Sequence, residues 1–348
     1  MQQIKLKDFK IIPILDSAHH LDISDEVYFS SKYVKYISNS KLASICPAQG
    51  GSMAKFYGPS EHLNTSSLAL GTVVHCMTLQ PNDFTLAPKI DKPSAKLGQV
   101  CEAYIKYLKR GLTKEECAQR ACIDVQYYIN QIQSKIPKVI EEGDKYYEQV
   151  KDFDSSVLTL DNRSWDTAMQ CINNLKNNSL IQSKLHPTGD FMEDLPAFNE
   201  DTLFLDFLVI YQDKLCTTLH IKGKLDNWTI DEDRKVLTLN DLKTTSHILK
   251  WFTHREYGSL YKYHYLRQLK LYQIMLENLC MKLYGYNTKQ WVFETNILAV
   301  ETTRDCNSQC INIRPKQLIE GEEELFNCLK MVGYYEIFGH EEEVKFIN

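Results

Sequence analysis

Two carboxylates and a lysine raise the first chemical question. Asp226 ends the run Lys222-Gly223-Lys224-Leu225-Asp226, and Asp241 and Lys243 stand two residues apart in Asn240-Asp241-Leu242-Lys243-Thr244-Thr245. Paired carboxylates with an adjacent ammonium suit metal-assisted phosphodiester hydrolysis, because oxygen ligands bind Mg²⁺ or Mn²⁺ and the metal activates water and offsets phosphate charge. The lysine would position or activate that water and stabilise charge in the transition state. A D-x-K triplet alone is equally well a surface salt bridge, so the elements that carry it must decide.

Val236, Leu237, Leu239 and Leu242 read as a strand, which puts Asp241 and Lys243, at i and i+2, on one face. Asp231-Glu232-Asp233 is a polar break able to reverse the chain, bringing the strand that ends near Asp226 beside the one that carries Asp241. Strand periodicity runs through residues 203–211, 215–221, 225–230 and 236–242. A long helix over 260–283, a strand over 291–300 and a final helix from Arg314-Pro315 through Leu325, Leu329 and Val332 follow. Upstream, the segment from Ser66 to Leu79 reads as a helix capped by serines and stopped by Pro81. Leu68, Thr72, His75 and Leu79 share its stripe, with Gly71 one turn before His75. Ser38-Asn39-Ser40 is a further helix start, and residues 47–51 a loop.

Residues 95–185 are mostly helical in pattern and read as an accessory layer. Within them, residues 112–128 have a helix, turn, helix rhythm that suits a helical hairpin or a DNA-reading unit. The order of elements predicts an α/β fold with a mixed central sheet flanked by helices. The expected organisation is one domain over 1–348: an N-terminal core helix region at 30–84, a helical insertion at 85–198, a catalytic sheet and helix at 199–300, and a final helix with an acidic tail at 301–348.

With 348 residues and 43% hydrophobic content the chain can bury a substantial core. A net charge of -5 excludes a nucleic-acid coat held by bulk charge but leaves room for a local basic groove. No apolar leader and no membrane-length apolar run is present, so a cytoplasmic protein without a membrane partner is expected. Most of the eleven scattered cysteines read as reduced and buried, and Cys306-x3-Cys310 lacks a second close pair that would make it a metal or iron-sulfur site. Glu320, Glu322, Glu323 and Glu324, then Glu341, Glu342 and Glu343, read as a solvated acidic end, with a subunit contact or a DNA-mimicking guard as the sharper alternative.

Downstream of the candidate strand, Gln268 and Tyr272 at i and i+4 present an amide and a phenol on one helix face, with His264 a turn earlier. Between Lys243 and Lys270, the cations Lys243, Lys250, Arg255, Lys262, Arg267 and Lys270 meet only Glu256. That local excess lies where a phosphate backbone would have to run.

Taken in order, Gly71-Thr72-Val73-Val74-His75, Lys222-Gly223-Lys224-Leu225-Asp226, Asp241-Leu242-Lys243-Thr244-Thr245 and Gln268-x3-Tyr272 resemble the PD-(D/E)XK nuclease superfamily. More narrowly they are similar to the phage and prophage exonuclease VIII type, within the group of RecB-type nuclease domains and lambda exonuclease. The resemblance rests on residues 30–80 and 200–300. It implies a restriction-endonuclease-like core with a helical insertion. It also implies that His75, Asp226 and Asp241 ligate divalent metal, with the Leu242 carbonyl as a further ligand. Lys243 would be the catalytic lysine, and Gln268 and Tyr272 would hold the DNA end or scissile strand. From the local cation excess, Lys262, Arg267 and Lys270 are expected to contact DNA.

Leu225-Asp226 replaces the proline-aspartate of the superfamily name, and Glu200 is a candidate for the upstream glutamate that some relatives use. The four-cysteine iron-sulfur pattern of some relatives is missing, and no G-x4-G-K-[ST] motif encodes ATP-driven unwinding. The activity implied is a Mg²⁺-dependent (or Mn²⁺-dependent) 5′-to-3′ exonuclease that resects double-stranded DNA for phage-type recombination or repair. A single-strand-annealing partner and a homo-oligomer would accompany it. The rival readings are an endonuclease or CRISPR-adaptation-like nuclease of the same fold, a non-catalytic DNA-binding module, and a helix-turn-helix regulator using residues 112–130.

Overall fold

The computed structural model describes residues 2–58, 66–82, 86–87, 89–93, 95–153, 158–190, 193–246, 249–303, 305–339 and 344–347. Glu341, Glu342 and Glu343 of the acidic end lie outside the described residues. The chain forms two compact units, one of Met1–His62 with Asn174–Asn348 and one of Leu63–Asn173. No helix among the described residues is long and apolar enough to cross a membrane.

The Leu63–Asn173 unit is helical. It contains α1 (Ser66–Leu79), α2 (Ala95–Leu108), α3 (Lys114–Asp124), α4 (Ile132–Val150) and most of α5 (Asn162–Asn177). α2, α3 and α4 close around Val100, Cys101, Tyr104, Cys117, Cys122 and Val139. Thr113 caps α3 in a reciprocal box with Glu116, which satisfies two of the amides a helix start leaves unpaired. Between α3 and α4 the chain turns through left-handed Gln126 and Tyr128, at φ 52° and 45°. Residues 112–130 therefore belong to a three-helix cluster.

The other unit is built on a six-stranded sheet: β1 (Phe9–Leu21), β2 (Ala197–Tyr211), β3 (Leu215–Asp231), β4 (Val236–Thr245), β5 (Val292–Glu301) and β6 (Ser308–Asn312). Spatial order follows this numbering, and within this sheet β4 and β5 run parallel while the other neighbours run antiparallel. The mixed sheet expected from the pattern is thus present. Asp231 makes the β3–β4 reversal, since its Oδ1 accepts the backbone amides of Asp233 at 3.1 Å and Arg234 at 2.8 Å.

Three segments depart from the sequence reading. β1, with Pro13 and a register shift between Ile14 and His19, was not legible as a strand; proline is tolerated there because β1 is an edge. Residues 215–221 and 225–230 form one strand rather than two. Gly223 does not break it but makes room for the helix that carries Tyr272 and Met275: a Cβ at this position would lie 2.9 Å from Tyr272 Cε1 and 3.2 Å from Met275 Sδ. The expected helix over 260–283 is two helices, Ser259–Lys262 and a longer one from Tyr265, because His264 is left-handed at φ 54° and its imidazole turns onto Glu324 at 2.9 Å.

Helix α6 (Ser179–Leu185) presents its last carbonyls to the sheet, while α7 (Tyr265–Tyr284) and α8 (Pro315–Phe338) pack together against buried apolar side chains of the sheet. α7 and α8 touch backbone to backbone at Gly321, where a Cβ would stand 2.2 Å from the Leu266 carbonyl oxygen.

A row of asparagines crosses the sheet. Asn199, Asn227, Asn240, Asn296 and Asn312 occupy matching registers on β2 through β6. Their amides bond head to tail: Asn312 to Asn296 at 3.1 Å, Asn296 to Asn240 at 3.0 Å, Asn240 to Asn227 at 2.7 Å and Asn227 to Asn199 at 2.8 Å. Asn240 also donates to the Lys184 carbonyl at 2.9 Å, tying the end of α6 to the sheet.

Helix propensity favours alanine over glycine by about 1 kcal/mol, but forcing a methyl between two backbones costs about 1–3 kcal/mol. Gly321→Ala is therefore expected to lower the free energy of unfolding, measured by urea denaturation, despite its better helix residue.

Candidate metal centre

The β3–β4 hairpin delivers the carboxylates. Backbone pairing of these strands ends at Asn227↔Asn240, and one residue further on the Asp226 carboxylate, not a carbonyl, accepts the Leu242 amide at 2.7 Å. The strands splay where Asp226 and Asp241 face each other. Lys243 Nζ lies 2.6 Å from Asp241 Oδ2 and 3.9 Å from Asp226 Oδ2. Asp226, Asp241 and Lys243, singled out from the sequence, are thus brought into one group.

Glu200 joins them from β2. It sits between Asn199, paired with Asn227, and Asp201, paired with Leu225, which places it across from Asp226. Carboxylate oxygens of Glu200 and Asp226 lie within 4.8 Å of each other. Glu200 is left-handed at φ 53°, a conformation that costs an L residue roughly 1–2 kcal/mol. Lys224 bridges this acid at 3.0 Å and Asp25 at 2.5 Å, and Lys222 donates to the Tyr28 carbonyl at 2.6 Å. The two lysines of the K-G-K run therefore pin the chain around residues 25–28 beside the acids.

The electrostatics follow from this crowding. Asp241 is 1% exposed and Asp226 9%. Burial alone would lower the Lys243 pKa, but the charges of Asp241 and Asp226 outweigh it and hold the ammonium well above its ordinary value. Its charge also lies 5.4 Å from the centre of the Tyr265 ring, within cation–π range. Burial pushes the Tyr265 phenol up to about 12, with Lys243 opposing and Asp241 adding to the shift.

From α7, Gln268 Nε2 stands 3.3 Å from Asp241 Oδ1 and 3.3 Å from the Tyr272 hydroxyl. Tyr272 is buried against Gly223, and its phenol is held well above the usual range by that burial. Both residues are brought to the acids. The Leu242 carbonyl lies there too, 3.5 Å from Lys243 Nζ. His75 is carried by α1 of the Leu63–Asn173 unit.

The fold pairs much of the basic track read from the sequence with acids. Arg267 is 1% exposed, and its guanidinium is spent on Asn39 at 3.1 Å, Gln49 at 2.7 Å and Glu324 at 2.8 Å. Lys270 lies 3.5 Å from Glu322 and Arg255 bonds Glu320. Acids of α8, more than 50 positions away in sequence, neutralise much of the local excess, and by the same contacts Glu320, Glu322 and Glu324 are not a purely solvated face. Lys262 remains exposed, beside the Tyr263 ring.

The donors gathered here, carboxylate oxygens and a backbone carbonyl, suit a hard divalent cation of the Mg²⁺ or Mn²⁺ kind, whereas soft metals favour sulfur. Sequence reasoning gave Glu200 too little weight and overlooked Tyr265. A signal for Glu200 was present: the dipeptides Asn199-Glu200, Asp226-Asn227 and Asn240-Asp241 each join an asparagine to an acid.

Residues 31–335 match the family described as PDDEXK-like domain of unknown function (DUF3799). No curated protein matches the chain. Among solved structures, the crystal structure of a "Putative exonuclease" from Eubacterium rectale is similar at 12% identity and a TM-score of 0.47, covering 90% of this chain and 86% of that one. On the span of the family match, with its mixed sheet and flanking helices, the chain belongs to the PDDEXK-like domains of the PD-(D/E)XK nuclease superfamily.

Proposed function

We propose that the chain is a divalent-metal-dependent deoxyribonuclease, a 5′-to-3′ exonuclease on double-stranded DNA that serves recombination by strand annealing. The observation that carries the reading is the convergence of Asp226, Asp241 and Lys243 from adjacent strands, with Glu200 across from Asp226. Glu200, Asp226, Asp241 and the Leu242 carbonyl would hold Mg²⁺ or Mn²⁺, and the ordered motifs add His75. When bound, the metal supplies an activated water and offsets charge on the phosphate.

The chain's own residues divide the remaining work. Lys243, fixed between two carboxylates, offers an ammonium to the developing phosphate charge. Gln268 orients Asp241 through its amide, and the Tyr272 hydroxyl accepts from the same amide and so fixes it. Among Lys262, Arg267 and Lys270, Lys262 is the exposed cation and would contact a DNA backbone. A single-strand-annealing protein and further copies of this chain are the partners that fit such a role.

The test is digestion of 5′- and 3′-end-labelled linear duplexes and of closed circular DNA, with Mg²⁺, Mn²⁺ or chelator. Linear DNA should be consumed from 5′ ends, circular DNA should survive, and chelator should stop the reaction. Cleavage of circles would replace the exonuclease by an endonuclease. Lys243→Ala and Asp241→Asn are each expected to slow hydrolysis by about 10²-fold or more, a typical loss for a group that stabilises transition-state charge. Wild-type rates in both variants would end the catalytic assignment. In the same assay, Glu200→Gln and His75→Ala should raise the metal concentration needed for half-maximal rate by about tenfold or more.

A further inference from the structure

The asparagine row and the acid row are two sides of one register. Side chains alternate across a strand, so the residue beside each ladder asparagine projects from the opposite face. On β2, β3 and β4 those neighbours are Glu200, Asp226 and Asp241; on β5 and β6 they are Ile297 and Ile311, aligned with Asp241 by the registers Asp241↔Ile297 and Ile297↔Ile311. Every acid of the candidate centre is backed by an asparagine of the ladder.

Asparagine is a poor strand residue, and a buried amide without partners is costly. Asn227, Asn240 and Asn296 are nevertheless 0%, 1% and 1% exposed. The place where the ladder is tightest explains its value. Its shortest link, 2.7 Å between Asn240 and Asn227, coincides with the last backbone pair of β3 and β4. Beyond that pair the strands splay, and backbone bonding no longer sets the distance between the two aspartates. Amides that bond in series also reinforce one another where water is excluded.

From this we infer that Asn199, Asn227 and Asn240 are positioning residues for the metal ligands Glu200, Asp226 and Asp241. The inference rests on the metal-dependent reading above. Asn296 and Asn312, which back isoleucines, hold the sheet without acting on the metal.

Two matched pairs separate a positioning role from a structural one. Asn199 and Asn312 are the exposed ends of the ladder, so alanine at either leaves the buried links in place. Asn240 and Asn296 are its buried middle. Binding of Mn²⁺ to the full chain would be measured by titration calorimetry, alongside thermal unfolding of each variant. Asn199→Ala and Asn240→Ala are expected to weaken Mn²⁺ binding by about tenfold or more, the scale seen when support of a ligand is removed. Asn312→Ala and Asn296→Ala should leave it within about twofold while losing comparable thermal stability to their counterparts. Equal effects within both pairs, or no effect of Asn199→Ala and Asn240→Ala, would overturn the inference while leaving the metal-dependent reading intact. If the Asn240 variant does not fold, the Asn199 and Asn312 pair decides. Wild-type protein that binds no Mn²⁺ overturns both.

Discussion

The constraint on which this unit depends is strand register. Because side chains alternate with a period of two, a slip of one residue between β3 and β4 would send Asp226 to the other face and leave Asp241 without it. Backbone bonds give a ladder but not a unique offset, since each offset satisfies most of the same donors and acceptors. What distinguishes this offset is chemical: asparagine meets asparagine across four consecutive strand pairs, and the turn at Asp231 fixes where the pairing begins.

Gathering acids in this way opposes stability. Carboxylates close together repel, and their removal from water adds a further cost unless cations or hydrogen bonds replace it. Lys243 lies between Asp226 and Asp241, Lys224 reaches Glu200, and the Leu242 amide and Gln268 add donors to the two aspartates. The left-handed backbone of Glu200 adds strain to the same spot. Strain, splayed strands and crowded like charges are what a folding optimum would remove, so this spot costs stability that the surrounding packing must supply.

The clamp of α7 on α8 keeps this arrangement in place at a distance. Gln268 can reach Asp241 only if α7 is held at a fixed height over the sheet, and Arg267, its neighbour, ties α7 to Gln49, Asn39 and Glu324. Breaking a buried pair of this kind leaves an uncompensated charge and costs about 3–5 kcal/mol. The close passage at Gly321, three residues before Glu324, brings the α8 acid within reach. A residue that resembles part of a DNA-binding stripe in sequence thus supports the acids through packing.

Features set by neighbours in the chain were the legible ones. The alternation around Asp241 and Lys243 gives their shared face, Asp231 gives the turn, and Arg314-Pro315 gives the start of α8, each from a handful of adjacent residues. Features set by partners distant in sequence were not. Nothing near Arg267 announces Glu324, nothing near Pro13 announces that β1 is an edge, and nothing near Lys222 announces Tyr28. The ladder lies between these cases. Its five asparagines and their acidic neighbours are plain in the sequence, but they become a row only when five strands adopt one register, and that register is what the row itself helps to select. A local pattern therefore carries information about the fold when its members bond to one another across strands, as these amides do, whereas charges that find unlike partners elsewhere leave no such trace.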